Sequence, residues 1–376
     1  MSFSFVNARI NQQIEKDLYR KRTIVNEQSS RFVIVDGKKY LNFSSNDYLG
    51  LNHNAQINKA LVDGAEKFGT CSSASSLITG YGYAHQKLEE SICEWLNIEK
   101  CLLFNSGFSA NFGFMQALQG TDTHLFLDKL SHASLIDGVL ASKLPFKRFR
   151  HNDYAHLDSL LNTNNAEDSI IATEGVFSMD GDKANLASLV DLAKQHNAEL
   201  LVDEAHAFGL YGEKGKGLSH AYKDDIDFII TTFGKSFGSC GAVVACKDEY
   251  KQYLINRCRA FIYSTALPLP VLIWNIKALA LIETMSAQRA HLQQLATRFR
   301  TELQKKGYHS KGDSHIVPLL LQSNDEAIHL ANSLRQSHIH CMPIKHPTVP
   351  KGSERLRFSF STLHQHSDID AVLHNL

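Results

Sequence analysis

The sequence predicts an α/β fold: a large unit whose mostly parallel sheet is flanked by helices, followed by a smaller C-terminal α+β unit. Two observations carry this. From His85 onward, short apolar runs recur at residues 101–104, 124–127, 169–172, 199–202, 228–231 and 242–245, most of them separated by stretches of helical character such as 186–196. Alternation sustained this long argues for parallel strands joined by helices that cover both faces. After Pro268 the pattern changes to a long helical tract and then to short mixed elements. The 376 residues suffice for a large core and two packed units. The expected division is an N-terminal helix and hairpin over 1–43, the large unit over 44–266 and the C-terminal unit over 267–376.

Taken in order, Phe5, Ile10, Ile14 and Leu18 fall at roughly helical spacing and predict an amphipathic helix over residues 4–20. The basic run Tyr19-Arg20-Lys21-Arg22 reads as its termination, favourable to the helix dipole. Asp36-Gly37 sits between two apolar runs and predicts a hairpin turn. Residues 69–82 are dense in Ser, Thr and Gly and read equally as a linker or as a loop covering a substrate. A helical tract is expected over 271–306, and Arg355-Leu356-Arg357-Phe358-Ser359-Phe360 alternates like an edge strand.

Charge and cysteine usage narrow the function. Lys plus Arg equals Asp plus Glu at 39 each, so no net field favours nucleic acid or an anionic membrane. Small molecules, or a second copy of the chain, are the expected partners. The 7 cysteines include no Cys-x-x-Cys pair, which argues against a disulfide framework and a cysteine zinc site. Residues 1–22 lack the continuous apolar core of a signal peptide, and no stretch is long and apolar enough to span a bilayer. A cytoplasmic location is therefore expected.

The chemistry concentrates at residues 228–238. A buried strand runs out through Thr231-Thr232 and delivers Lys235 into a loop rich in glycine and hydroxyl groups. A lone Gly-Lys-Ser would be read as a surface turn. Upstream, however, Leu200-Leu201-Val202 leads into Asp203-Glu204-Ala205-His206, so one sheet edge would present an acid, an imidazole and an amine together. Pyridoxal phosphate (PLP) needs such a set: a lysine for the Schiff base and an acid that keeps the pyridine nitrogen protonated.

Other groupings also have plainer readings. Asp203-Glu204-Ala205-His206 also spells a helicase box, but the phosphate loop this requires would place glycine where Ile229 stands. Asn105-Ser106-Gly107-Phe108 follows a strand and opens a helix, a position suited either to capping or to phosphate binding. With Thr232 and Lys235 expected nearby, phosphate binding is favoured. His132 reads as a helix cap or as a ring that stacks on a cofactor, and taken alone the cap is the better reading. His338, His340, Cys341 and His346 lack an acidic ligand between them and are broken by Pro343, so no metal site is expected.

With these residues in place, the chain resembles the α-oxoamine synthases, PLP enzymes of fold type I, over nearly its whole length. The carriers are Leu41-Asn42-Phe43-Ser44-Ser45-Asn46-Asp47-Tyr48-Leu49-Gly50, Leu130-Ser131-His132-Ala133-Ser134, the run Thr173 onward through Glu174, Ser178 and Asp182, Asp203-Glu204-Ala205-His206, Thr232-Phe233-Gly234-Lys235 and Pro347-Thr348-Val349-Pro350. The resemblance implies that Lys235 forms the Schiff base and moves the α-proton, that Asp203 pairs with the pyridine nitrogen and that His206 bonds the ring oxygen. It implies that His132 stacks on the ring, that Ser106, Gly107, Phe108 and Thr232 fix the cofactor, and that Ser178 lies by the ring oxygen. Glu174 and Asn46 would lie near the reacting centre, Arg357 would clamp the amino-acid carboxylate, and Thr265 would reach the partner's phosphate in a homodimer. Arg20 is the implied acyl-site residue, and Thr348 is implied to bind substrate. Within the family, the similarity is greatest to members that join L-alanine to a pimeloyl thioester of coenzyme A or of a carrier protein. Two stretches depart from the family pattern: Cys71-Ser72-Ser73-Ala74-Ser75-Ser76 stands where relatives often carry glycines, and Lys345-His346 replaces an arginine-proline lead-in. Sister enzymes that use glycine and acetyl-CoA, a noncatalytic subunit and an ordinary PLP aminotransferase are the competing readings.

Overall fold

The computed structural model describes residues 3–16 and 18–376. It opens with helix α1 (Ser4–Glu15), none of whose residues is buried. Phe5, Ile10 and Ile14 are exposed along it. The helix expected over 4–20 is therefore present but shorter, and Asp17 lies outside the described residues. The basic run Tyr19-Arg20-Lys21-Arg22 follows α1, whose last turn holds no basic residue.

Strands β1 (Val25–Gln28), β2 (Phe32–Val35) and β3 (Lys38–Asn42) form an antiparallel meander. Between β2 and β3, Asp36 and Gly37 take φ of 52° and 72°, the left-handed pair that a two-residue hairpin turn demands. Helix α2 (Ala55–Phe68) is capped by Asn54, whose side chain accepts from the N–H groups of Gln56 and Ile57. The Ser-rich segment that follows is not a free linker. It closes one wide helical turn, Ser76–Gly80, and is tied down where Ala266 donates to the Ala74 carbonyl at 3.0 Å and Ser75 bridges Thr265. A side chain on Gly80 would meet the Ala74 carbonyl oxygen at 2.1 Å, so only glycine fits the turn.

The central sheet comprises β4 (Lys100–Phe104), β5 (Thr123–Asp128), β6 (Phe146–Phe149), β7 (Asp168–Glu174), β8 (Glu199–Asp203), β9 (Phe228–Thr232) and β10 (Ala242–Cys246). Its spatial order is β4-β10-β9-β8-β7-β5-β6. The strands β6, β5, β7, β8 and β9 run parallel, and β10 is antiparallel to both neighbours. The short edge strand β6 is the one member that the apolar pattern did not announce: its Lys147 and Arg148 interrupt the run. The strands are apolar on both sides because both sides are covered. Ile229 and Val202 face one core while Phe228, Ile230 and Leu201 face the other. Each fully buried aliphatic side chain of this kind contributes about 1.5–3 kcal/mol. The covering helices include α3 (Tyr83–Leu96), α4 (Gly107–Ala117) and α5 (Ala133–Ser142).

Beyond Pro268, the tract expected as one helix is two, Leu269–Ile282 and Ser286–Lys305, set at 80° to each other. The break is chemical: Thr284 folds its hydroxyl back onto the Leu281 carbonyl at 2.8 Å, and Arg289 takes the Ile282 carbonyl at 2.6 Å. No single helix among the described residues is long and apolar enough to cross a membrane. Strands β11 (Ile316–Leu320), β12 (Ile339–His340), β13 (Pro343–Ile344) and β14 (Arg355–Ser359) follow, with β12 joining β3 and the other three forming a sheet of order β11-β14-β13. The segment read as an edge strand is thus the middle one. Its alternation arises because Leu356 and Phe358 enter the core, while Arg355 is buried against Asp180 and Arg357 reaches the Ser178 carbonyl.

One carboxylate holds the loop after β8 in place. Glu204 is fully buried and accepts from the N–H groups of Leu218 and Ser219 and from the Ser219 hydroxyl. Glu204→Ala strands these donors without an acceptor, and a loss of about 3 kcal/mol is expected. A denaturation midpoint equal to that of the unsubstituted chain would overturn this assignment.

Candidate active site

Three neighbouring parallel strands end side by side. Glu174 closes β7 opposite Asp203, which closes β8 opposite Ile230 of β9. Just past the end of β9, the chain turns through Phe233-Gly234 and brings Lys235 back over the same edge. The sheet topology therefore gathers residues separated by up to 61 positions in sequence, from Glu174 to Lys235, at the carboxyl ends of its strands.

Lys235 Nζ lies 2.8 Å from His206 Nε2. On the other side of that ring, Nδ1 lies 2.7 Å from the Tyr48 hydroxyl, which in turn meets Asn46 Oδ1 at 3.1 Å and Arg357 Nη2 at 3.5 Å. The donors order themselves along this chain. Lys235 gives a proton to Nε2, Nδ1–H gives to Tyr48, and the tyrosine hydroxyl gives to Asn46, leaving its second lone pair for Arg357. Burial and the charges of Lys235 and Arg357 hold the imidazole well below its ordinary range, which keeps it neutral as this pattern requires. Burial, helped by Arg357, lowers the Lys235 ammonium to about 8 against the pull of Asp203 and Glu174. A neutral amine is thereby available near pH 8.

A second network supports Asp203. Its Oδ2 accepts from Asn111 Nδ2 at 2.7 Å and its Oδ1 from the Ala205 N–H at 2.9 Å. The other Asn111 proton goes to Ser134 Oγ at 3.0 Å, and that hydroxyl lies 2.7 Å from His132 Nδ1. The Ser134 N–H also points at Nδ1, so this nitrogen is the acceptor and the ring proton sits on Nε2. His132 thus caps α5, as the plainer reading expected, and its ring is exposed. Glu174 is fully buried with Oε1 unpartnered, and burial together with Asp203 pushes its carboxyl well up. Helix α4 starts against Thr232: a Cβ on Gly107 would stand 3.3 Å from the Thr232 Cβ. Ser106 caps this helix by accepting from the Ser109 N–H.

Residues 38–376 match the model of the class I and II aminotransferases. The chain belongs to that family. It is similar to a serine palmitoyltransferase with PLP internal aldimine, at 27% identity and a TM-score of 0.92, over 99% of this chain and 96% of that one. A Sphingomonas wittichii serine palmitoyltransferase gives 27% identity and a TM-score of 0.93 over the same shares. The 8-amino-7-oxononanoate synthase of Francisella tularensis is 30% identical, covering 89% of this chain and 96% of its own, with a TM-score of 0.78. The family is PLP-dependent and of fold type I, with α-oxoamine synthases among the structural neighbours.

The remaining residues singled out in the sequence fall into two groups. Arg357 donates Nε to the Ser178 carbonyl at 2.5 Å, which places Ser178, Arg357, Tyr48 and Asn46 in one cleft wall with the lysine network. Thr265 is exposed, and its carbonyl accepts from Asn105, one residue before Ser106. Phe108 is exposed and stacks on Phe112. Thr348 is exposed and lines a cavity shared with Ser178. Arg20 is not brought in: it is exposed, outside any helix or strand, and no bond among the described residues ties it to the cleft. Three contributors, Tyr48, Asn111 and Ser134, were not assigned roles from the sequence. Tyr48 and Ser134 lie inside the family motifs, whereas Asn111 was signalled only as an amide in an otherwise apolar helix face. His151, Asp180 and Asp182 also converge, but each is already ion-paired, His151 to Asp128 and Asp182, and Asp180 to Arg355 and Lys311.

Labelling by an amine-selective reagent, read peptide by peptide, should reach half its limiting rate near pH 8 at Lys235, well below an ordinary lysine at about 10.4. The neutral form reacts, so the rate rises with pH through that midpoint. Arg357→Gln removes a nearby positive charge and should move the midpoint upward. A midpoint near 10 in the unsubstituted protein would contradict the depressed ammonium.

Proposed function

We propose that this chain is a PLP-dependent α-oxoamine synthase and, within that group, an 8-amino-7-oxononanoate synthase of biotin biosynthesis. It joins L-alanine to a pimeloyl thioester of coenzyme A or a carrier protein, releasing carbon dioxide and the free thiol. The observation that carries the reading is the Lys235–His206 contact at 2.8 Å beside the buried Asp203. The choice of substrates rests on the motif set and on the 30% identity to the Francisella tularensis enzyme.

The residues present fit the cofactor. Asp203, held by Asn111 and Ala205, is a carboxylate placed to keep a pyridine nitrogen protonated. The start of α4 with Thr232 suits a phosphate, the exposed His132 ring suits an aromatic face, and Lys235 supplies the amine that holds the cofactor. When bound, PLP supplies an electron sink that stabilises negative charge at the amino acid's α-carbon. Arg357 grips the amino-acid carboxylate with its planar fork. Lys235 would take the α-proton on Nζ as a neutral amine. Acyl transfer to the α-carbon would break the thioester's carbon–sulfur bond, and the sulfur would leave as thiolate, taking its proton from solvent. After loss of carbon dioxide, the proton on Lys235 Nζ returns to the α-carbon. His206, neutral and fixed by Tyr48, keeps Lys235 in line throughout. A second copy of the chain completes the site through Thr265.

Serine palmitoyltransferase activity, with L-serine and a long acyl thioester, is the second reading, favoured by alignment over 99% of this chain. Glycine with acetyl-CoA is the sister reaction. Thiol release by the purified holoenzyme with each pair separates the three, and release only with L-alanine and a pimeloyl donor is expected. Lys235→Ala should lower that rate by at least about 10²–10⁴-fold and abolish the visible cofactor band. Normal turnover in this variant would refute the assignment of the lysine.

A further inference from the structure

Beside the His132 loop lies a cavity of about 420 Å³, within the range of roughly 300–1,000 Å³ common for small-molecule sites. One wall is the segment after β5, where Lys129, Leu130 and Ser131 lead directly into His132. The facing wall includes Ser178, whose carbonyl holds Arg357, and Thr348. The cavity therefore adjoins the cleft and lies, like it, at the carboxyl ends of the strands. Leu130, Ile136 and Val349 make part of its lining apolar.

Its charge is unbalanced. Lys129, Arg148, Lys311 and Arg355 line it against Asp137 and Asp180. Asp180 is already taken by Arg355 and by Lys311 at 3.1 Å. Arg148 spends one N–H on the Lys129 carbonyl, and neither Arg148 nor Lys129 has a carboxylate partner within ion-pair distance among the described residues. A partly apolar chamber with two cations that lack a carboxylate partner among the described residues suits an apolar chain ending in an anion.

We propose that this cavity receives the acyl chain of the donor, and that Lys129 and Arg148 bind an anionic group at the chain's far end, selecting dicarboxylic acyl thioesters. The proposal rests on the α-oxoamine synthase reading above and specifies the acyl donor within it. Neither cation lies in a sequence motif: Lys129 follows β5, and Arg148 stands within the basic edge strand β6.

Pimeloyl-CoA and heptanoyl-CoA share a chain length and differ in the terminal carboxylate. Their binding to the holoenzyme is measured by titration calorimetry without amino acid, so that no turnover occurs. The pimeloyl donor should bind about tenfold more tightly. In the double variant Lys129→Gln with Arg148→Gln the ratio of the two affinities should fall to about one, and Lys129→Arg should retain it. Both side chains are exposed, so folding should tolerate the changes. Equal binding of the two donors by the unsubstituted protein would overturn the proposal. So would equal weakening of both donors in the double variant, the result expected if these cations hold coenzyme A phosphates. Thiol release with L-alanine, measured on the same samples, tests the reaction separately: discrimination without release leaves the cavity assignment standing and removes the reaction, and release without discrimination does the reverse.

Discussion

A lysine must shed its proton near neutral pH, and that requirement shapes the rest of this fold. Lys235 meets it by leaving water at the mouth of a buried strand and by facing a neutral imidazole instead of a carboxylate. Arg357 adds a like charge, whereas Asp203 and Glu174 restrain the shift. Glu174, Asp203, His206 and Lys235 sit at or beyond strand ends, where backbone N–H and C=O groups no longer consume one another in the ladder, whereas Arg357 reaches in from the middle of β14.

The surroundings are correspondingly well connected. Asp203 is tied through Asn111 and Ser134 to His132, and His206 is tied through Tyr48 to Asn46 and Arg357. Buried polar groups left without partners are costly, so such networks either close or fail. This one closes except at Glu174 Oε1 and Asn111 Oδ1. The neighbouring Glu204 shows how adjacent carboxylates divide their tasks. Asp203 faces the cleft, whereas Glu204 turns the other way and holds the loop at residues 218–219.

Much of the large sheet was legible because a strand covered on both faces must be apolar at successive positions, and six such runs were readable. Edge strand β6 was not, because an edge tolerates Lys147 and Arg148. The N-terminal hairpin was legible from Asp36-Gly37, whose left-handed pair has few other uses. The break at residues 283–285 was hidden, since helical periodicity continues on both sides and the bend depends on Thr284 and Arg289 capping carbonyls. The central position of β14 was hidden for a related reason: its alternating pattern records arginines satisfied by Asp180 and Ser178, not arginines in water.

By itself, the sequence determined the alternating architecture, the strand that carries Lys235 and the acid-imidazole pair that precedes it. These depend on local periodicity and on short motifs, which the chain states directly. Only the tertiary structure decided that Tyr48 completes the histidine, that Asn111 links Asp203 to His132, and that Lys129 and Arg148 share one cavity. Those contacts join residues far apart in sequence or on different elements, and a hydrogen bond or a shared wall exists only once packing has brought its two sides within reach.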